Sequence, residues 1–214
     1  MRNYDGILFD VDGTITSTNE LIYNSFRYLS NKYLKKSFKN EEIMNLFGPP
    51  EDIIIKELTG DNYNAARKDY YDYYTKNHHL ANLFPGIKEI LAFIKSRNVF
   101  LAIFTGKGKE AATITLQKLE VYDYFDMIIT GDDVKEHKPS AEGIHNFIKK
   151  YNLDRARVLM IGDAPSDFKA ARAAGVKIAS VLWDQYVKEE VKNLKSDFLF
   201  HTVEEFKIFI SENI

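Results

Sequence analysis

The stretch Ile7-Leu8-Phe9-Asp10-Val11-Asp12-Gly13-Thr14 decides how the rest of the chain is read. Its first three residues form a short apolar run, which suits a strand buried on both faces. Side chains alternate along a strand, so carboxylates two positions apart, Asp10 and Asp12, can share one side at its mouth. Gly13 permits a sharp departure just afterwards. Carboxylates this close repel, which favours a bound cation or one retained proton. One can then act as a nucleophile while its neighbour shuttles a proton. On these residues alone a calcium-type loop or a surface turn is an equal reading.

Further apolar runs lie at residues 99–104, 127–129, 158–161 and 178–182. Between them are helical patterns. Ile87, Ile90, Leu91 and Ile94 follow the helix period, as do Ile144, Phe147, Ile148 and Tyr151. Val203, Phe206 and Ile210 follow it again, opened by Thr202 with Glu205 three residues later, the pattern of a capping box. Strands alternating with helices predict an α/β fold with a parallel sheet covered on both sides. Ligands of such sheets bind beyond the C-terminal strand ends. Residues 17–83 break the alternation and read as helices at 21–34, 41–47, 52–58 and 62–79. A helical block between the first and second strands is the pattern of an inserted smaller domain. Phe84-Pro85-Gly86 marks the return.

The other strand ends carry their own polar groups. Phe104-Thr105-Gly106-Lys107-Gly108 offers a hydroxyl and backbone N–H groups before a helix, an anion cradle or a plain N-cap turn. Lys138 precedes Pro139, which suits a helix start and would fix where the lysine points. A fixed ammonium is what a transferring phosphoryl group needs, although a lone lysine is ordinarily a solvated surface residue. Asp163 in Gly162-Asp163-Ala164-Pro165-Ser166-Asp167 offers hard oxygen ligation suited to Mg²⁺, or caps a helix. Asp167, one turn on, could support Asp163 or the metal.

Composition excludes other classes. Lys and Arg total 29 against 31 Asp and Glu, with no basic stripe for a nucleic acid. No cysteine is present, so there is neither a disulfide framework nor a thiolate zinc site. No apolar run approaches the roughly 20 residues of a membrane span, so the expectation is a soluble, cytoplasmic protein.

Taken in order, Phe9-Asp10-Val11-Asp12-Gly13-Thr14, Phe104-Thr105-Gly106, Lys138-Pro139 and Gly162-Asp163-Ala164-Pro165-Ser166-Asp167 resemble the motifs of the haloacid-dehalogenase-like superfamily, across nearly the whole chain. The resemblance implies a Rossmann-like core over residues 1–16 and 84–214 and a C1-type helical cap over residues 17–83. It implies Asp10 as the nucleophile that becomes phosphorylated and Asp12 as acid and base. Thr105, Gly106 and Lys138 would hold the phosphoryl group. Asp10, Asp163 and the backbone carbonyl of Asp12 would hold Mg²⁺. Ser17 stands where many relatives carry an acidic residue, near the cap hinge. The implied activity is a phosphatase acting on a small phosphate monoester (phosphoglycolate-, nucleotide- or sugar-phosphate-like) or on pyrophosphate. A phosphomutase of the β-phosphoglucomutase type is the alternative. The implied partner is the small-molecule phosphate alone, with no nucleic acid or membrane, in a monomer or homodimer.

Gly48-Pro49-Pro50 breaks the helical block and resembles a substrate-facing loop, although an interhelical turn reads equally well. Tyr63, Tyr70, Tyr73 and Tyr74 read as packing of the inserted helices, and Trp183 as structural.

Overall fold

A computed structural model of the protein describes residues 2–186 and 189–214. At its centre is β1 (Gly6–Phe9), flanked in parallel by β4 (Phe100–Phe104) and β6 (Val158–Gly162), so that Phe9 aligns with Ile103 on one side and Ile161 on the other. Outside these lie β5 (Met127–Ile129), β7 (Lys177–Val181) and β8 (Phe198–Phe200), giving the order β5-β4-β1-β6-β7-β8 with every pairing parallel. This is the parallel α/β sheet the strand pattern predicts.

Strand alternation divides the core into two layers. Ile7, Phe9, Leu101, Ile103, Leu159 and Ile161 turn to one face and pack with Ile87, Leu91 and Ile94 of α5 (Ile87–Ser96) and Phe206 of α9 (Val203–Asn213). Leu8, Ala102, Phe104 and Met160 turn to the other, against α7 (Glu142–Tyr151) and α8 (Pro165–Ala174). Each large apolar side chain so buried is worth about 1.5–3 kcal/mol relative to exposure. The capping box of α9 forms as its sequence predicts, with Glu205 N–H donating to Thr202 Oγ1 at 3.2 Å. The polar groups described below lie at or beyond the C-terminal ends of these strands, and the alternation that fills both layers also fixes where those ends open.

The helical block contains α1 (Asn19–Leu29), a π-helical turn (Ser30–Leu34), α2 (Asn40–Met44), α3 (Glu51–Thr59) and α4 (Tyr63–Lys76). A short antiparallel ribbon pairs β2 (Thr16–Ser17) with β3 (Asn82–Leu83), so the chain leaves and re-enters side by side. Leu21, Phe26, Ile55, Tyr70 and Tyr74 form the segment's own core, which extends to Ala111 of α6 (Lys109–Lys118), the helix after β4. Tyr73 stacks on Tyr28 at 4.6 Å, so the tyrosines pack as expected.

Three details differ from the sequence reading. The ribbon puts strand residues at both ends of the block, where helices alone are expected. The edge strand β8, three residues long like β5, is not among the runs read as strands in the sequence. Pro139 does not open α7: its bond to Lys138 is cis, and the helix starts at Glu142.

Candidate active site

Asp10 leaves the end of β1 with its N–H donating to Ile161 O at 2.9 Å, and its side chain is buried. Gly13 turns the chain away with φ +78°, and a Cβ there would lie 2.2 Å from Asp163 Oδ2. The close approach of the β1 loop to Asp163 therefore requires glycine. Thr14 Oγ1 donates to Asp163 Oδ1 at 3.0 Å, and Trp183 Nε1 anchors the same loop by donating to Thr14 O at 3.0 Å. Trp183 is structural, as its sequence context suggests, and what it holds is the loop beside Asp163.

Carboxylate oxygens of Asp10, Asp163 and Asp167 converge within 4.8 Å of one another. One ammonium answers them: Lys138 Nζ lies 3.0 Å from Asp10 Oδ1 and 2.6 Å from Asp167 Oδ1, and it donates to Phe104 O at 3.2 Å. Its approach to Asp10 is close but poorly aligned, so Asp10 Oδ1 is a buried oxygen without a hydrogen bond. Burial pushes the Asp10 carboxyl up to about 6; Lys138 opposes the rise, while Asp167 and Asp12 add to it. Burial and the charges of Asp10 and Asp167 push Asp163 well above the usual carboxylate range. Lys138 is raised despite burial, because Asp10 and Asp167 face it.

An orphaned buried oxygen within a cluster of hard oxygen donors carrying excess negative charge fits a divalent cation of the Mg²⁺ type. Asp167 is pinned on both sides, Oδ1 by Lys138 and Oδ2 by the Ala164 N–H at 3.0 Å. Those contacts suit a support for the cluster. The Asp12 carboxylate stands apart from it: Thr18 Oγ1 donates to Oδ1, and Lys107 Nζ lies 3.2 Å from Oδ2.

Thr105 is buried at the end of β4, with its N–H donating to Ile129 O at 3.0 Å. The anion cradle expected after it is only partly available. Thr105 Oγ1 accepts from the Lys107 N–H at 3.2 Å, Glu51 Oε2 from the Gly108 N–H at 2.5 Å, and Asp132 Oδ2 from the Lys109 N–H at 2.7 Å. Two carboxylates thus cap the start of α6 and take up the N–H groups of Gly108 and Lys109.

The sequence reading missed Lys107, Glu51 and Thr18. Lys107 is buried, 3.3 Å from Glu51 Oε1, and its Nζ sits 5.5 Å from the Tyr74 ring centroid. It stays charged: burial opposes the ammonium, but Asp12, Tyr74 and Glu51 outweigh it. Burial raises Glu51, with Lys107 and the Gly108 N–H offsetting part of the rise. Lys107 stands two residues from Thr105, yet nothing local distinguishes it from a solvated lysine. Its partners come from positions 12 and 51.

The loop at residues 48–50 meets these strand ends. A Cβ on Gly106 would lie 3.7 Å from Gly48 O, and one on Gly131 would lie 2.6 Å from Pro50 Cγ.

Residues 7–181 match the family model described as haloacid dehalogenase-like hydrolase. A protein of Caldanaerobacter subterraneus subsp. tengcongensis, provisionally named pyrophosphatase PpaX, is 34% identical over 193 residues, covering 90% of this chain and 88% of that one. Pyrophosphatase PpaX of Bacillus pumilus is 30% identical over 202 residues, covering 90% of each chain. Among solved structures, one titled a predicted phosphoglycolate phosphatase, from Haemophilus somnus, superposes with a TM-score of 0.84. It covers 98% of this chain and 99% of that one at 21% identity, a likeness of fold.

Proposed function

The chain belongs to the haloacid dehalogenase-like hydrolase family, and on that premise we propose that it is a Mg²⁺-dependent phosphatase working through a phosphorylated Asp10. The observation that carries this reading is the convergence of Asp10, Asp163 and Asp167 within 4.8 Å around the ammonium of Lys138. Asp10, Asp163 and the backbone carbonyl of Asp12 would hold Mg²⁺, with Asp167 supporting them. When bound, the ion supplies charge neutralisation for the phosphoryl oxygens and for the clustered carboxylates.

An Asp10 carboxylate oxygen attacks phosphorus while the bond to the leaving oxygen breaks, and Asp12 gives that oxygen its proton. Asp12 then takes a proton from water as the water oxygen attacks phosphorus and frees Asp10. Lys138, Thr105 and Gly106 hold the phosphoryl oxygens through both steps. Residues 17–83 act as a cap over the site, excluding water and selecting among leaving groups, because the groups at the strand mouths meet only what all phosphate esters share.

Substrates of this reading are small phosphate monoesters or pyrophosphate. Pyrophosphate leads the panel because relatives named for it are the ones at 30–34% identity. Phosphoglycolate, nucleoside monophosphates and hexose phosphates complete it. Each is assayed for released phosphate with Mg²⁺, with EDTA, and after Mg²⁺ is restored. EDTA is expected to abolish turnover and Mg²⁺ to recover it; full activity in chelator contradicts the metal assignment. A hexose phosphate isomerised without release of phosphate would instead favour the mutase alternative.

A further inference from the structure

Lys107, which the reaction as described does not use, is the centre of a second ammonium-centred cluster. Its side chain is 1% exposed, among the least accessible charged groups described. It bridges two parts of the chain: Asp12 on the loop after β1, and Glu51 in the first turn of α3 within the inserted segment. Tyr74 of α4 lies along it from the same segment.

As a stabilising device the arrangement is weak. Taking an ammonium and its carboxylates out of water costs several kcal/mol per ion, and replacing such groups with apolar residues is often neutral or favourable. As a positioning device it is strong. Asp12 has its two oxygens held by different groups, Oδ1 by the Thr18 hydroxyl and Oδ2 by Lys107, so rotation of the carboxylate is restricted. A free lysine is too flexible to restrain a neighbour, because its long stem retains many rotamers. Here Glu51 and the Tyr74 ring remove that freedom.

Glu51 is fixed in turn. Its Oε2 accepts from the Gly108 N–H at 2.5 Å, and Pro50, just before it, is seated against Gly108 and Gly131. A Cβ on Gly108 would come within 2.9 Å of Glu51 Oε2, and one on Gly131 within 2.6 Å of Pro50 Cγ. Two core glycines therefore admit the inserted segment close enough for its carboxylate to reach Lys107.

We propose that Lys107 is a positioning residue that holds the Asp12 carboxylate toward the leaving group, and that Glu51 of the inserted segment holds Lys107 in place for that task. The proposal rests on the role of Asp12 as proton donor given above. Its consequence is selective: Lys107 matters in proportion to how much the leaving oxygen needs a proton. An alkyl alkoxide needs one, whereas p-nitrophenolate departs without.

The test compares kcat/KM for whichever alkyl phosphate of the panel is turned over fastest with that for p-nitrophenyl phosphate. This parameter reports the steps up to departure of the leaving group. Both esters are measured on the same preparation with Mg²⁺, so the ratio is independent of how much protein is correctly folded. Lys107→Met is expected to lower the alkyl-ester value about ten- to a hundredfold, and the p-nitrophenyl value by less than about threefold. Glu51→Gln retains an oxygen for the Gly108 N–H but withdraws the charge, and should shift the same ratio in the same direction by less. Asp12→Asn, measured alongside, is expected to shift it most. An unchanged ratio in Lys107→Met beside a shifted one in Asp12→Asn overturns the positioning role alone. An unchanged ratio in Asp12→Asn, or no turnover by the unaltered protein, overturns the reading on which it rests.

Discussion

Two buried lysines, each facing two carboxylates, divide the site into two regions. Lys138 sits between Asp10 and Asp167, and all three belong to the sheet and its connections. Lys107 sits between Asp12 and Glu51, so its cluster is complete only with a residue of the inserted segment in place. The first cluster is fixed by strand register and apolar packing, as when Asp10 N–H bonds to the carbonyl of the neighbouring strand. The second is assembled across the short ribbon that joins the segment to the sheet. On the proposed reading, groups at the first would meet the phosphoryl oxygens common to every substrate, while groups at the second would surround the residue that serves the variable part. The same charge pattern can therefore serve turnover in general or discriminate among leaving groups, depending on which elements supply its members.

Of the two ammonium groups, that of the first cluster should have the larger effect when removed. Lys138→Met is expected to cost about 10²–10³-fold in kcat, the scale of losing one preorganised donor to a transition-state oxygen. The loss should be the same for p-nitrophenyl and alkyl esters. A loss confined to poor leaving groups would erase the distinction between the clusters.

Gly131→Ala probes the seat of the inserted segment without altering a charge. Its methyl group would meet Pro50 Cγ at 2.6 Å and Gly106 O at 2.8 Å, so both the segment and the loop after β4 must give way. The expected result is a drop of roughly tenfold in kcat/KM, a misplacement effect, with a melting temperature within a few degrees of the unaltered protein. Unchanged kinetics on every ester would show that the seat is not needed for the chemistry.

The smallest effect concerns the opposite end of the sheet, where no influence on chemistry is expected. Asp5 is held down to about 2 by its hydrogen bond from Arg157; burial opposes the shift, and Arg2 adds to it. A carboxyl whose folded pKa is depressed stabilises the fold above its unfolded value of about 3.9 and loses that contribution as pH falls toward 2. Thermal melts between pH 5 and 2 should show Asp5→Asn with a shallower acid loss and with kcat at neutral pH unchanged. An equal acid slope in both proteins would contradict the assignment.

How much could be read in advance follows the same division. The strands at residues 99–104, 127–129 and 158–161 stand out because parallel strands buried on both faces are almost wholly apolar. Asp10, Thr105 and Asp163 stand out because each follows such a run, and Lys138 because it precedes Pro139 in the motif order. Lys107 and Glu51 could not: neither ends a strand, and the contact joining them spans 56 residues of chain. The capping of α6 was hidden for the same reason, since Glu51 and Asp132 reach its N–H groups from other elements. The ribbon of β2 and β3, two residues a strand, has too short a period to register in a sequence.

The central claim is that Asp10 carries the phosphoryl group during turnover. It is tested most directly by mixing enzyme, Mg²⁺ and the best substrate of the panel, quenching in acid within one turnover, and mapping the digest by mass spectrometry. A transient gain of one phosphoryl group is expected on the peptide containing Asp10, absent from Asp10→Asn, which should also have lost essentially all turnover. Rapid turnover with no phosphorylated peptide at any quench time, together with near-normal activity of Asp10→Asn, would contradict it and point to direct attack by water.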